Sequence, residues 1–389
     1  MYPTISDLLH DLFGLNLPLP IQSFGFMLAL SFLLAAYTVK LELIRKEKLG
    51  LVKSHVKESM KGAAATFSDL ASSFLIGFVL GYKFVYAAIN YSLFVEDTQG
   101  VLLSLTGNPL GGLLVGSLMA YMQYREKEKE RLPQPKMVQE TVHPFQLVSN
   151  ITIIAAISGI IGAKIFHNLE NLHEFRENPL EALISFSGLT MYGGLIAGTI
   201  AVMRYGSKNG MPPLVLADAT APGLMLSYGT GRLGCQISGD GDWGIVNLSP
   251  KPDWLSWLPD WFWAYDYPHN VISAGVPIPG CEGKHCMVLP ETVFPTPLYE
   301  ALACVLLFFV LWGFRKKLVR TGQLFFLYLI FNGIERFLIE KIRVNNKFDF
   351  LGMTVTQAEV IASALIITGI AGYIYCSKKH HPDGRVATG

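Results

Sequence analysis

The sequence predicts an all-α fold: a polytopic membrane bundle of about nine spanning helices, N-terminus outside and C-terminus inside. Three observations carry this reading. Of 389 residues, 51% are hydrophobic and only 16% charged, against about a quarter charged in an ordinary soluble domain. Nine apolar stretches reach or approach the roughly 20 residues that cross about 30 Å of hydrocarbon. Lys and Arg collect in alternate connections between them. A net charge of +1 leaves no basic field for nucleic acid, and five cysteines make no disulfide scaffold.

In chain order the stretches are approximately 20–43, 68–92, 103–123, 145–168, 182–204, 213–237, 297–314, 322–342 and 354–376. The first follows a segment, 1–19, with no Lys or Arg. That segment lacks the positive region of a signal peptide, so the first stretch is read as a retained helix. The third is rich in glycine. The sixth holds Asp218 and Arg232 and escapes a strict hydropathy cut.

With the N-terminus outside, the inside segments are 44–67, 124–144, 205–212, 315–321 and the C-terminal tail. Together with Arg204 they hold 20 of the 31 Lys and Arg residues, and the outside segments hold six. This bias selects nine helices over eight, because removing one flips half the loops. The chain 1–389 therefore reads as a single membrane domain. Its longest connection, 238–296, is outside and holds Trp243, Trp254, Trp257, Trp261 and Trp263. Trp prefers the headgroup level, so this loop is expected on the outer interface. Cys281 and Cys286 in it read either as a local disulfide on the oxidising side or, with His285, as part of a zinc site. The zinc reading falls short of four well-spaced ligands.

Ionisable residues within the spans need a reason. Lys164, Arg232 and Arg336 fall near the outer ends of the fourth, sixth and eighth stretches. Snorkelling accounts for any one of them. As a set they oppose the positive-inside bias and point to an anionic partner near the outer surface. Asn332, Arg336, Glu340 and Arg343 follow at i, i+4, i+8 and i+11, along one face of a helix. The Arg336–Glu340 pair reads as a structural ion pair or as an arginine aimed at an anionic headgroup, for which its planar fork is suited. Gly231-Arg232-Leu233-Gly234-Cys235 ends the sixth stretch, and Asp240, Asp242 and Gly244 follow in a glycine-rich turn. Asp218, deeper in the same stretch, reads as a packing or polar-network residue. Tyr192 lies about 15 Å below the outer end of the fifth stretch. Its phenol is either satisfied in the core or part of the site. Gly194 and Gly198 make a GxxxG, which implies close helix packing.

In order, these motifs resemble the prolipoprotein diacylglyceryl transferase family. They run from Gly162-Ala163-Lys164 through Gly188-Leu-Thr-Met-Tyr192-Gly193-Gly194 to Asp218-Ala-Thr-Ala-Pro222. Gly231-Arg232-Leu233-Gly234, Gly239-Asp240 and Trp243-Gly244 follow. Phe294-Pro-Thr-Pro-Leu-Tyr-Glu300 and Arg336-Phe-Leu-Ile-Glu340 complete the set. The similarity is loose over the first helix and clear over 145–376.

The resemblance implies a seven-helix core with a helix pair inserted within 60–123. It also implies a bacterial inner membrane protein with its site open to the outer leaflet. The reaction implied moves the sn-1,2-diacylglyceryl group of phosphatidylglycerol onto the lipobox cysteine of a prolipoprotein signal peptide, releasing glycerol 1-phosphate. Its partners are then those two substrates and membrane lipids, with no nucleic acid, metal or organic cofactor. Arg232 and Arg336 are expected on the phosphate, with Lys164 as a further cation. Glu340 is expected to orient Arg336, and Asp240 to steady the turn near Arg232. Gly231, Gly234, Gly193, Gly194 and Gly244 are expected to bring backbone close to substrate. The chain departs from the family pattern at Tyr192, where a histidine is usual, and at Cys235, where an asparagine is usual. Lys164 keeps the charge of the usual arginine. The readings from other classes are a non-catalytic phosphatidylglycerol-binding paralogue and a lipid or anion transporter.

Overall fold

The computed structural model describes residues 1–184, 190–345, 347–350 and 353–378. Its helices are α1 (Ile5–Phe13), α2 (Ser23–Lys48), α3 (Phe67–Ile89), α4 (Tyr91–Glu96), α5 (Thr98–Leu103), α6 (Pro109–Lys129) and α7 (Val148–Glu170). There follow α8 (Leu172–Glu177), α9 (Pro179–Ile184), α10 (Met191–Lys208), α11 (Pro213–Ser238), α12 (Thr296–Phe314), α13 (Gln323–Ile339) and α14 (Gln357–Lys378). Three two-stranded antiparallel ribbons join them: β1 (His55–Lys61) with β2 (Lys136–Val142), β3 (Val276–Pro277) with β4 (Met287–Val288), and β5 (Lys347–Phe350) with β6 (Met353–Thr356).

Each predicted stretch is occupied by a long helix. Among the described residues, five are long and apolar enough to cross a membrane by length and composition: α2, α3, α7 with the turn before it, α12 and α14. The polytopic, mostly helical architecture follows. Of the other long helices, α11 carries Arg232, α13 carries Arg336, and α10 carries Tyr192, Gly193 and Gly194. Residues 185–189, which include Gly188 of the fifth stretch, lie outside the described residues.

Helices pack in pairs: α2 on α11, α7 on α10, α11 on α12, α13 on α14 and α3 on α6. One apolar cluster joins α2, α7, α10 and α11 through Leu43, Ile151, Val202 and Leu216. A second joins α11, α12 and α13 through Met225, Cys304, Phe308 and Leu324. Close approach between α7 and α10 depends on glycine. A Cβ at Gly193 would stand 2.5 Å from the Gly162 carbonyl oxygen and 2.4 Å from Phe166 Cβ.

Two segments differ from the sequence expectation. The charged connections 44–67 and 124–144, to which the sequence assigns no strand, pair as a largely exposed ribbon: β1 and β2 run in register, His55 opposite Val142 and Lys61 opposite Lys136. The helical face predicted to run from Asn332 to Arg343 also breaks. Helix α13 stops at Ile339, a 3-10 turn takes up Glu340–Ile342, and Arg343 is extended (φ −92°, ψ 153°). Arg343 therefore approaches the site from an extended strand-like segment and not from the helix.

The connection between α11 and α12 folds back across the ends of both helices and of α13. Ile245 N–H donates to the Ile342 carbonyl at 2.9 Å, and Tyr265 and Val293 exchange two backbone hydrogen bonds. Trp243 and Tyr265 pack on the buried Tyr267, whereas Trp254 and Trp257 remain exposed. Cys281 and Cys286 form a disulfide. That pairing takes both sulfurs away from the zinc alternative.

At the opposite ends of the helices lies a second buried charge cluster. Asp218 accepts from the N–H groups of Gly322 (2.7 Å) and Phe325 (2.9 Å), at the start of α13. Lys46 lies 3.7 Å from Asp218 and 3.9 Å from Glu42, and Arg315 reaches Glu42 at 3.3 Å. Asp218 is thus the polar-network residue expected, and it ties α2, α11 and α13 together.

Candidate active site

The site is built from the last turns of α11, the turn after it, the start of α12 and the end of α13. Arg232 lies two turns before the end of α11, which closes on Gly239 in the left-handed region (φ 65°). The turn that follows returns Asp242 over Arg232, and the two form an ion pair. Thr296 Oγ1 holds this turn by donating to the Asp242 carbonyl at 2.9 Å.

Gly244 then runs beside Arg343 in an isolated antiparallel bridge. No side chain fits at Gly244: a Cβ would stand 2.5 Å from the Ile342 carbonyl oxygen and 2.8 Å from Thr296 Cγ2. The glycine is what lets the turn close on the end of α13.

Three guanidiniums meet on one carboxylate. Glu300, in the second turn of α12, is fully buried. Arg232 Nε lies 2.9 Å from its Oε2, Arg336 Nη1 3.5 Å from the same oxygen, and Arg343 Nη1 3.3 Å from Oε1. Tyr228 OH donates to Oε2 at 2.6 Å. Arg343 Nη2 also reaches Asp242 Oδ1 at 2.6 Å, and Arg336 Nη2 lies 3.3 Å from Glu340 Oε2. Asn345 Nδ2 donates to Glu340 Oε1 at 2.5 Å.

Each of the three arginines is paired with at least one of Asp242, Glu300 and Glu340. The cluster opens on one side: the Arg336 and Asp242 side chains are 21% and 35% exposed, against 11% for Arg232 and 9% for Arg343. An anion would therefore meet Arg336 first.

The two aspartates of the turn differ. Burial pushes the Asp242 carboxyl up, but the guanidiniums of Arg232 and Arg343 together hold it below the usual carboxylate range. Asp240 is raised, chiefly by burial. It accepts from the Asp242 N–H at 3.3 Å and a hydrogen bond from the Cys235 thiol. Cys235 Sγ and the two aspartates come within 4.8 Å of one another, which is ligand spacing. The Arg232 guanidinium already sits against Asp242 and within 3.8 Å of Cys235 Sγ. Its positive charge already pairs with Asp242, one of the three candidate ligands.

The structure brings Arg232, Arg336, Glu340 and the 240–244 turn into one cluster. Direct contact to Arg232 comes from Asp242, while Asp240 stands behind it. Tyr192, in the first turn of α10, is half-buried and within electrostatic reach of Arg336 and Glu340. Lys164 is buried on α7, next to Ala163, whose carbonyl accepts from Thr190 N–H at 3.1 Å. Gly193 and Gly194 pack α10 against α7, and Gly234 faces Met27 and Phe24 on α2. Gly231 faces open space.

Sequence reasoning missed Glu300 as the hub, together with the roles of Arg343 and Tyr228. A signal for Glu300 existed: it is an acid one turn into an otherwise apolar helix.

The sequence model of the prolipoprotein diacylglyceryl transferase family matches residues 112–375. Among curated relatives, a protein of Corynebacterium diphtheriae is 29% identical over 240 residues, 60% of this chain and 78% of that one. One of Corynebacterium glutamicum is 31% identical over 230 residues, 57% and 68% of the two chains. One of Staphylococcus aureus is 28% identical over 271 residues, 69% and 85%. All three carry the name phosphatidylglycerol–prolipoprotein diacylglyceryl transferase.

Proposed function

The chain belongs to the prolipoprotein diacylglyceryl transferase family, and on that footing we propose that it is the enzyme its relatives are named for. It transfers the sn-1,2-diacylglyceryl group of phosphatidylglycerol to the lipobox cysteine of a prolipoprotein, and glycerol 1-phosphate leaves. The observation that carries this reading is the meeting of Arg232, Arg336 and Arg343 on the buried Glu300.

The chemistry needs that arrangement. A thiolate attacks a glyceryl carbon, and negative charge builds on the oxygen that departs with the phosphate. Guanidiniums fixed around that oxygen bind the transition state more tightly than the ground state. Paired with carboxylates before substrate binds, they are already held close together around one point. The lipid phosphate replaces carboxylate contacts, first at Arg336 and then at Arg232.

The charge count supports nine spans with the N-terminus outside in the bacterial inner membrane, and a site facing the outer leaflet. The exposed Trp254 and Trp257 would then lie at the outer interface. Purified protein given head-labelled and acyl-labelled phosphatidylglycerol and a lipobox peptide is expected to move acyl label to the thiol and release head label. Lipid binding without transfer would mark an accessory paralogue. Vectorial lipid movement without transfer would mark a transporter.

A further inference from the structure

We infer that Glu335 is the proton store of this site: it carries a proton in the resting protein and exchanges it with the reaction through Tyr228 and Glu300. This rests on the transferase reading above. Glu335 is 6% exposed, and among the described residues neither of its carboxylate oxygens has a hydrogen-bond partner. Nor does any ion pair among the described residues reach it, although its chain neighbour Arg336 pairs with Glu300 and Glu340.

Its position explains this isolation. On α13, Leu324, Tyr328 and Phe331 pack into the apolar cluster with Met225, Cys304 and Phe308. Glu335 continues that face by one more turn. It therefore stands where the apolar core ends and the arginine cluster begins. Tyr228 and Arg232 face it from α11, Glu300 and Cys304 from α12, and Arg336 and Arg343 from α13 and the segment after it. On α14 the acid Glu359 is turned to Lys341 and Thr356.

An ionised carboxylate without donors in such a place costs several kcal/mol, and taking up a proton removes that cost. The other acids of the site are committed. Asp242 lies between two guanidiniums, Glu300 among three, Glu340 between Arg336 and Asn345, and Asp240 accepts two hydrogen bonds.

The reaction has one proton to move. The sulfur–carbon bond forms as the carbon–oxygen bond to phosphate breaks, and the electron pair of the latter leaves with glycerol phosphate. Glu335 lends its proton to the leaving phosphate and recovers one from the thiol, so atoms and charge balance without a co-reactant. Tyr228 is the link in this proposal: its hydroxyl donates to Glu300, and the Glu335 carboxyl, which holds no hydrogen bond of its own among the described residues, has to turn to that hydroxyl for the proton to pass. Glu335 acts through these groups and is a positioning residue, not one that touches substrate.

The test compares wild type with Glu335→Gln and Glu335→Asp in the lipid-to-peptide assay across pH, with infrared difference spectra of the same proteins. Glu335→Gln keeps the shape of the neutral acid but cannot exchange a proton. We expect kcat to fall about a hundredfold, the pH profile to lose one limb, and KM for phosphatidylglycerol to stay within about twofold of wild type. Glu335→Asp should recover part of kcat. The spectra should lose one protonated-carboxyl band in Glu335→Gln. Wild-type turnover and pH profile in Glu335→Gln, or an unchanged carboxyl band, would overturn the proposal. If Glu335→Gln does not fold, Glu335→Asp decides: a wild-type pH profile and an unshifted band count against it. If wild type itself transfers no label, the transferase reading fails, and the band still reports whether Glu335 holds a proton.

Discussion

Glu300 sits where three guanidiniums and a phenol converge, so its charge organises the cluster. Glu300→Gln keeps the volume and removes that charge, leaving three buried cations around an amide. Breaking a buried charge network from one side costs about 3–5 kcal/mol. A clear drop in melting temperature in detergent is expected, and an unchanged value would remove Glu300 from the centre of the site. Asp242 gives a pH signature. Its carboxyl is held below the ordinary range by Arg232 and Arg343, against burial. Its contribution is thus complete above the unfolded value of about 4, and it is lost only as pH falls through the lower folded value. Melting temperatures of wild type and Asp242→Asn should differ by a constant amount from neutral pH to about 5 and converge only in stronger acid. Convergence already near pH 6 would show that the pair is not what stabilises the turn.

Between elements, what matters is how the turn after α11 closes on the end of α13. Gly244→Ala would push a methyl group against the Ile342 carbonyl, part the bridge to Arg343 and displace that guanidinium. A displacement of about 1 Å can cost about a hundredfold in rate. The variant is expected to lose transfer on that scale while its helical circular dichroism stays intact; wild-type turnover would contradict the role assigned to Gly244. The same joint marks the limit of what the sequence reveals. Apolar runs locate the long helices because length and hydropathy are local properties. The spacing of Arg232, Arg336 and Glu340 can be read for the same reason, since all lie on helices or at their ends. Residue spacing puts Arg343 on the wrong kind of element, because nothing local in Glu340-Lys341-Ile342-Arg343 announces that the helix stops. The pairing of β1 with β2 and the choice of Asp242 over Asp240 depend on contacts between distant segments, which residue spacing does not encode.

For the whole molecule, two buried charge clusters lie at opposite ends of the same helices. One surrounds Glu300; the other joins Lys46, Glu42, Asp218 and Arg315. With the N-terminus outside, the first faces the outer leaflet and the second the cytoplasm. An impermeant maleimide should label Asp260→Cys in spheroplasts and Glu128→Cys only after lysis; the reverse pattern would invert the orientation. The central claim is that cations from separate helices grip one phosphate. Calorimetric titration of the purified protein with glycerol 1-phosphate tests it most directly. Arg232→Ala and Arg336→Ala should each weaken binding about tenfold to a hundredfold, with Arg336→Lys in between, because a point charge keeps the attraction but loses the fork. Wild-type affinity in both alanine variants would contradict the account.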